Sequence, residues 1–160
     1  MESNLKGRVL YREKVLANLE ESFRHLKRVE NAFLELTKKF SFPIQKSSFQ
    51  KILESNQYLA YSDQIIYRFS KLQDNMGAKL FKSLLLYQGE NVNRPFLDIL
   101  NQLEKIEIIN VDEWFEIQDL RNEIAHDYSS NDDVTIDILN TILELKDDLR
   151  KILERVQESL

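Results

Sequence analysis

The sequence predicts an all-α fold, an antiparallel bundle of four to five helices forming one domain over residues 1–160. Three observations point there. With Gly 3 and Pro 2, the chain lacks the turn residues of a β-sandwich or barrel and the Gly-rich loops of an α/β fold. Its apolar residues recur at spacings of three, four and seven, the period of one helix face. Its one β-branched run, Ile106 to Val111, has no second strand to pair with and is read as a packed connection.

The first helix is expected from about Leu5 to Phe40. Val15, Leu19, Leu26, Val29, Phe33, Leu36 and Phe40 form its stripe, and Pro43 closes it. A short helix is expected over Ser48 to Ser55. A long one follows from about Gln57 to Gln88, with Leu59, Ile65, Ile66, Phe69, Leu72, Met76, Leu80, Leu84 and Tyr87 on one stripe. Gly89 stands where a left-handed cap ends such a helix. Gly77, inside it, should cost roughly 1 kcal/mol against Ala. Either a close helix contact or simple tolerance accounts for it.

Pro95 opens a short helix through Phe96, Ile99, Leu100 and Leu103, because Pro suits the first turn. Asn110 with Glu113 three residues on resembles a capping box. The helix it opens carries Trp114, Ile117, Leu120 and Ile124 to about His126. Ser129 to Asp133 makes a turn and a new N-cap, with acids at the favourable helix end. The last helix runs from about Asp133 to Gln157 on Ile138, Ile142, Leu145, Leu149, Ile152 and Val156.

Composition narrows the chemistry. Hydrophobic residues at 42% and charged residues at 31% describe a chain that buries a core, neither a disordered tail nor a membrane protein. Cys 0 removes disulfides, thiolate metal sites and cysteine nucleophiles. With His 2, a histidine-rich metal site within one chain is excluded, and an acid–base histidine must be His25 or His126. No metal and no cofactor is expected. The net charge of −5 is uneven: residues 1–100 hold 16 basic and 11 acidic side chains, residues 101–160 hold 6 and 16. The basic front is either a solvated pattern or a surface for a polyanion. Met1 to Arg8 has no apolar core, so no signal peptide is expected, and the longest apolar run, Leu84 to Tyr87, is too short to span a bilayer. A cytoplasmic chain without membrane partners is expected.

One stretch says more than bundle: Arg121-Asn122-Glu123-Ile124-Ala125-His126-Asp127-Tyr128. It sits at a helix end before a turn, where side chains can reach a cleft. Asn122 and His126, four apart, share a face if both are helical. Arg121 and His126, five apart, do not converge on an ideal helix unless its end unwinds.

Arg121, four residues, His126, one residue and Tyr128 resemble the signature of HEPN-domain proteins, specifically the HepT-like toxins of type II HEPN/MNT toxin–antitoxin pairs. Asp63 to Asp74 looks like the family's long second helix and Pro95 to Leu103 like its next short one. The resemblance covers roughly Leu16 to Leu149. It implies a HEPN-like bundle acting as a homodimeric, metal-independent endoribonuclease, with two motifs facing across a cleft and RNA as substrate. Arg121, His126 and Asn122 would be catalytic, Asn122 orienting His126 or hydrogen-bonding the phosphate. A histidine exchanges protons near neutral pH and suits either the base or the acid of RNA cleavage to a 2′,3′-cyclic phosphate. Arg121 would hold the phosphate. The partner implied is an MNT nucleotidyltransferase antitoxin that silences the toxin by AMPylation of Tyr128. The alternative is a noncatalytic HEPN nucleotide- or RNA-binding subunit of a nucleotidyltransferase.

Each residue also has a plainer reading. Arg121 can pair with Glu113, Asp119 or Glu123, His126 can sit on the helix dipole, and Tyr128 can be a core-edge aromatic. His25, among Arg24, Lys27 and Arg28, reads as a basic surface position. Trp114 reads as core, and Tyr58, Tyr61, Tyr67 and Tyr87 as core or dimer interface. Asp63, Arg68 and Asp74 read as ion pairs within one helix, or as supports of the active site. Glu116, Glu123 and Asp127 form an outward acidic stripe, or a face for a basic partner.

Overall fold

In the computed structural model, residues 2–160 are described, with side chains from Leu5 onward. Met1 and the side chains of residues 2–4, part of the Met1–Arg8 segment, lie outside that description. The described residues form six helical bodies and no strand. They are α1 (Glu2–Thr37), α2 (Lys46–Leu53), α3 (Asn56–Asn75) continued through a π turn (Met76–Leu80) into α4 (Phe81–Tyr87), α5 (Phe96–Lys105), α6 (Val111–Ala125) and α7 (Asp132–Glu158). A single 3-10 turn, Tyr128–Ser130, joins α6 to α7.

Four long bodies alternate in direction. Cross-contacts fix the sense: Asn18 and His25 of α1 meet Asn75 and Arg68 of α3, and Glu30 of α1 pairs with Arg150 of α7. Arg121 of α6 meets Asp74, while Trp114 lies beside Gly77. The described residues therefore form an antiparallel helical bundle, and both short helices expected from the sequence are present as α2 and α5 at its sides, which makes six helical bodies where four to five were expected. α2 packs on α3 and α7, and α5 on α4 and α6.

The stripes read from spacing are the core. Val15, Leu19, Leu26, Val29, Phe33, Leu36 and Phe40 are all buried, as are the six α7 positions. α1 stops at Thr37, short of Phe40. The chain then folds inward, with Asn140 of α7 donating to the Ile44 carbonyl and accepting from its N–H. α2 starts at Lys46, two residues earlier than expected, and ends at Leu53, two residues earlier too, which leaves Ser55 free to cap α3 by accepting from the Tyr58 N–H.

Helix ends follow the sequence closely. Gly89 takes φ +84 and closes α4 with the Gly89-to-Leu86 and Glu90-to-Leu85 bonds of a Schellman motif. Asn110 caps α6 by accepting from the Glu113 N–H at 3.0 Å. Ile106 to Val111 is a connection, as expected, with Ile108 and Ile109 buried.

The α1–α3 seam is partly polar. Asn75 donates to the Asn18 carbonyl and to Ser22 Oγ, and Asn18 donates to Ser83 Oγ. The Asn75 amide N–H groups are thus paired across the seam, while its Oδ1 is buried without a partner among the described residues. Such polar contacts favour one register between two helices.

His25 lies in the same seam. It is 8% exposed, so the surface reading is corrected. Its spacing explains the burial: it stands seven residues from Asn18 and from Ala32, on the inward edge of the stripe.

Candidate active site

The motif straddles the end of α6, and that end decides its geometry. Helical structure stops at Ala125, and His126 takes extended angles (φ −81, ψ 164). The Tyr128 N–H then donates to the His126 carbonyl at 2.7 Å, a tight turn. The unwinding that Arg121 and His126 need is present. The shared helix face of Asn122 and His126 is not, because only Asn122 is helical.

Arg121 makes a bidentate pair with Asp74 of α3, Nε to Oδ1 at 3.0 Å and Nη2 to Oδ2 at 3.1 Å. The pairs considered with Glu113, Asp119 or Glu123 do not form. A two-point fork fixes the guanidinium plane as well as its position. Both side chains are partly exposed, so the pair adds little stability. Its structural effect is orientation.

The carboxylates on α3 do not pair within their own helix, which corrects that reading. Asp74 crosses to α6, and Arg68 Nη1 lies 3.2 Å from His25 Nδ1. Burial raises the Asp63 carboxyl above its ordinary range. Burial, then the charge of Asp63, raises the Tyr128 phenol. Tyr128 is half-buried against the core.

Beside the Arg121–Asp74 pair lies a cleft of about 550 Å³. One wall is the end of α3 and the π turn: Gln73, Asp74, Gly77 and Ala78. The facing wall is α6, with Gln118, Arg121, Asn122 and Ala125, and Lys82 of α4 and Phe96 of α5 complete it. Gly77 answers the question its sequence posed. A Cβ there would lie 3.3 Å from Trp114 Cζ2, so the residue marks a close helix approach. Single π turns inside α-helices are frequent at functional sites.

The structure thus brings Arg121 and Asn122 together in one cleft with Asp74. His126 and Tyr128 do not line it. His126 is exposed one residue past Ala125, on the segment leaving the rim. Lys82, Phe96 and Gln118 are cleft residues that the motif did not reveal. Their only sequence signal was Gly77, a helix-interior glycine marking where backbones approach. Of the acids around the motif, Glu116, Asp119, Glu123 and Asp127 are exposed and none lines the cleft. Among the described residues, no cluster of three or more His, Cys, Asp or Glu is arranged to hold a metal, and no helix is long and apolar enough to cross a membrane. No family model, no curated protein and no solved structure matches the chain.

Proposed function

We propose that the chain is a HEPN-type, HepT-like toxin: a homodimeric, metal-independent endoribonuclease restrained by a cognate MNT-type nucleotidyltransferase. The observation that carries this reading is the Arg121 guanidinium, fixed by Asp74 at the rim of a cleft, one residue from Asn122 and five from a histidine released from its helix.

The chemistry uses those groups directly. A 2′-hydroxyl attacks its own phosphorus, and the 5′-oxygen leaves. His126 of one copy takes the hydroxyl proton, and His126 of a second copy gives a proton to the departing oxygen. Arg121 stabilises charge on the non-bridging oxygens, with Asn122 as a neutral donor beside it. The product is a 2′,3′-cyclic phosphate. Tyr128 is the residue modified by the partner. An adenylate there would place a bulky anion on the segment that holds His126.

The test is cleavage of end-labelled RNA by purified protein in the presence of a chelator. Wild type should yield cyclic-phosphate ends, and His126→Ala and Arg121→Ala should each lose at least about 100-fold in rate. In cells, wild type alone should arrest growth, and coexpression with the nucleotidyltransferase should relieve the arrest and leave AMP on Tyr128. Undiminished cleavage by His126→Ala overturns the mechanism.

One observation favours a second reading. His126 stands outside the cleft that Arg121 and Asn122 line. A noncatalytic subunit that binds nucleotide or RNA beside a nucleotidyltransferase needs only the cleft. That reading predicts binding without cleavage by wild type.

A further inference from the structure

We propose that the cleft beside Arg121 is a slot for one nucleotide of the RNA strand, with the base against Phe96 and its phosphate on Lys82 and Arg121. The proposal rests on the ribonuclease reading for the identity of the strand, and on the cleft alone for the slot.

Charge sets the scale of the occupant. The lining holds two cations, Lys82 and Arg121, and one anion, Asp74. Lys82 makes no ion pair with a described residue, while the bonds to Asp74 use Nε and Nη2 of Arg121 and leave Nη1 for a ligand. One net positive charge suits a single phosphodiester better than a polyphosphate.

Shape sets the base. Phe96 is only half-buried, and its Cζ lies 3.8 Å from where a Gly77 Cβ would stand. Gly77 and Phe96 both line the cleft, so the half-buried ring borders its open volume with no side chain on residue 77 between them. An aromatic ring in a cleft stacks any base, since every base has a π face. The 550 Å³ volume falls within the roughly 300–1,000 Å³ of small-molecule sites.

An unmet hydrogen bond gives the recognition element. Gln118 lines the cleft, and its Oε1 is buried with no partner among the described residues. A buried acceptor without a donor costs free energy until a ligand supplies one. An N–H on the edge of a stacked base is such a donor.

Gln118 also separates binding from structure. Gln118→Leu removes an unsatisfied polar atom, so thermal stability should hold or rise while nucleotide affinity falls. A merely structural glutamine would move both in the same direction.

The experiment is calorimetric titration of the full chain with the four nucleoside 5′-monophosphates, inorganic phosphate and an uncleavable 2′-O-methyl oligoribonucleotide. Emission of Trp114, the chain's one tryptophan, which lies against Gly77, is the second readout. Monophosphates should bind more tightly than phosphate and perturb that emission. Phe96→Ala, Phe96→Leu and Lys82→Ala should each weaken binding about 10-fold or more, with helical circular dichroism retained. Monophosphates binding no better than phosphate, or insensitivity to Phe96 and Gln118 changes, overturns the slot. If wild type binds but cleaves no RNA, the slot stands and the ribonuclease reading falls. If RNA is cleaved with unchanged KM in Phe96→Leu and Lys82→Ala, the slot falls and the ribonuclease reading stands.

Discussion

His25 Nδ1 faces Arg68 Nη1 at 3.2 Å, and Nε2 lies 3.6 Å from Glu21 Oε1. Burial first, then the Arg68 guanidinium, holds its pKa below the ordinary 6.5, against the pull of Glu21. A neutral imidazole accepts from Arg68, whereas an imidazolium would meet a like charge. The unfolded chain therefore binds the proton first as pH falls. The stability His25 contributes is complete above 6.5 and is lost progressively below it. Chemical denaturation from about pH 7.5 to about pH 5.5 should show falling stability in wild type. In His25→Gln, which keeps an acceptor for Arg68, that part of the fall should vanish. Asp63 and Glu113 are raised by burial from the carboxylate range, and both proteins contain them, so they cancel in the comparison. An equal slope in the variant would show that His25 is not held neutral. Sequence neighbours mislead at such a position. Arg24, Lys27 and Arg28 suggest a surface, yet the seven-residue spacing to Asn18 and Ala32 sets the face. Asp74 was legible only as an acidic residue on the right helix. Its partner Arg121 is 47 residues away, and no local rule pairs them.

At the scale of elements, apolar spacing carried the helices and concealed the π turn. Met76, Leu80 and Leu84 keep steps of four, and all three remain buried through the Met76–Leu80 turn. One wider hydrogen-bonded turn does not disturb the stripe enough to be read. Gly77 was the visible trace, because an interior glycine forfeits helix propensity for some other reason. The reason is Trp114, wedged between the π turn and Phe81, whose ring centroid lies 4.7 Å from its own. With a Cβ already at 3.3 Å from Trp114 Cζ2, a branched side chain cannot fit without moving the indole. Gly77→Val should destabilise the fold by about 1–3 kcal/mol through overpacking. It should also shift the Trp114 emission maximum, since the indole must leave its packed site. Denaturant unfolding followed by fluorescence measures both together. A variant as stable as wild type, with unchanged emission, would mean that α6 does not approach the π turn so closely. Helix ends were legible where caps are chemical, at Asn110 and Gly89. The end at Ala125 was legible only to within a residue, and that residue is the one that removes His126 from the helix face shared with Asn122.

Each chain carries one motif histidine, so under the proposed ribonuclease reading a histidine base and a histidine acid would have to come from two copies. A cyclic dimer places the same patch against itself. The helices beside the cleft offer apolar surface for such a patch: Leu97 on α5 is 50% exposed and Phe115 on α6 is 38% exposed. The charge division seen in the sequence fits this view. The cleft draws Lys82 from the basic front and Arg121 from the acidic rear, and the acids nearest the motif are exposed and off its lining. The decisive measurement mixes subunits. Wild type and His126→Ala chains, refolded together with a tenfold excess of the variant, distribute by mass action. About one-tenth of wild-type chains then find a wild-type partner. If the two histidines of a dimer form one reaction centre, cleavage per wild-type chain should fall to about that fraction. If each chain is complete, cleavage per wild-type chain should not change with the excess. Leu97→Glu and Phe115→Glu supply the second arm. Each should convert dimer to monomer in sedimentation and abolish cleavage, with helical content retained and mononucleotide binding in the cleft preserved. A monomeric variant that still cuts RNA would assign both proton transfers to one chain, and the second acid–base group would then have to be sought among residues other than histidine.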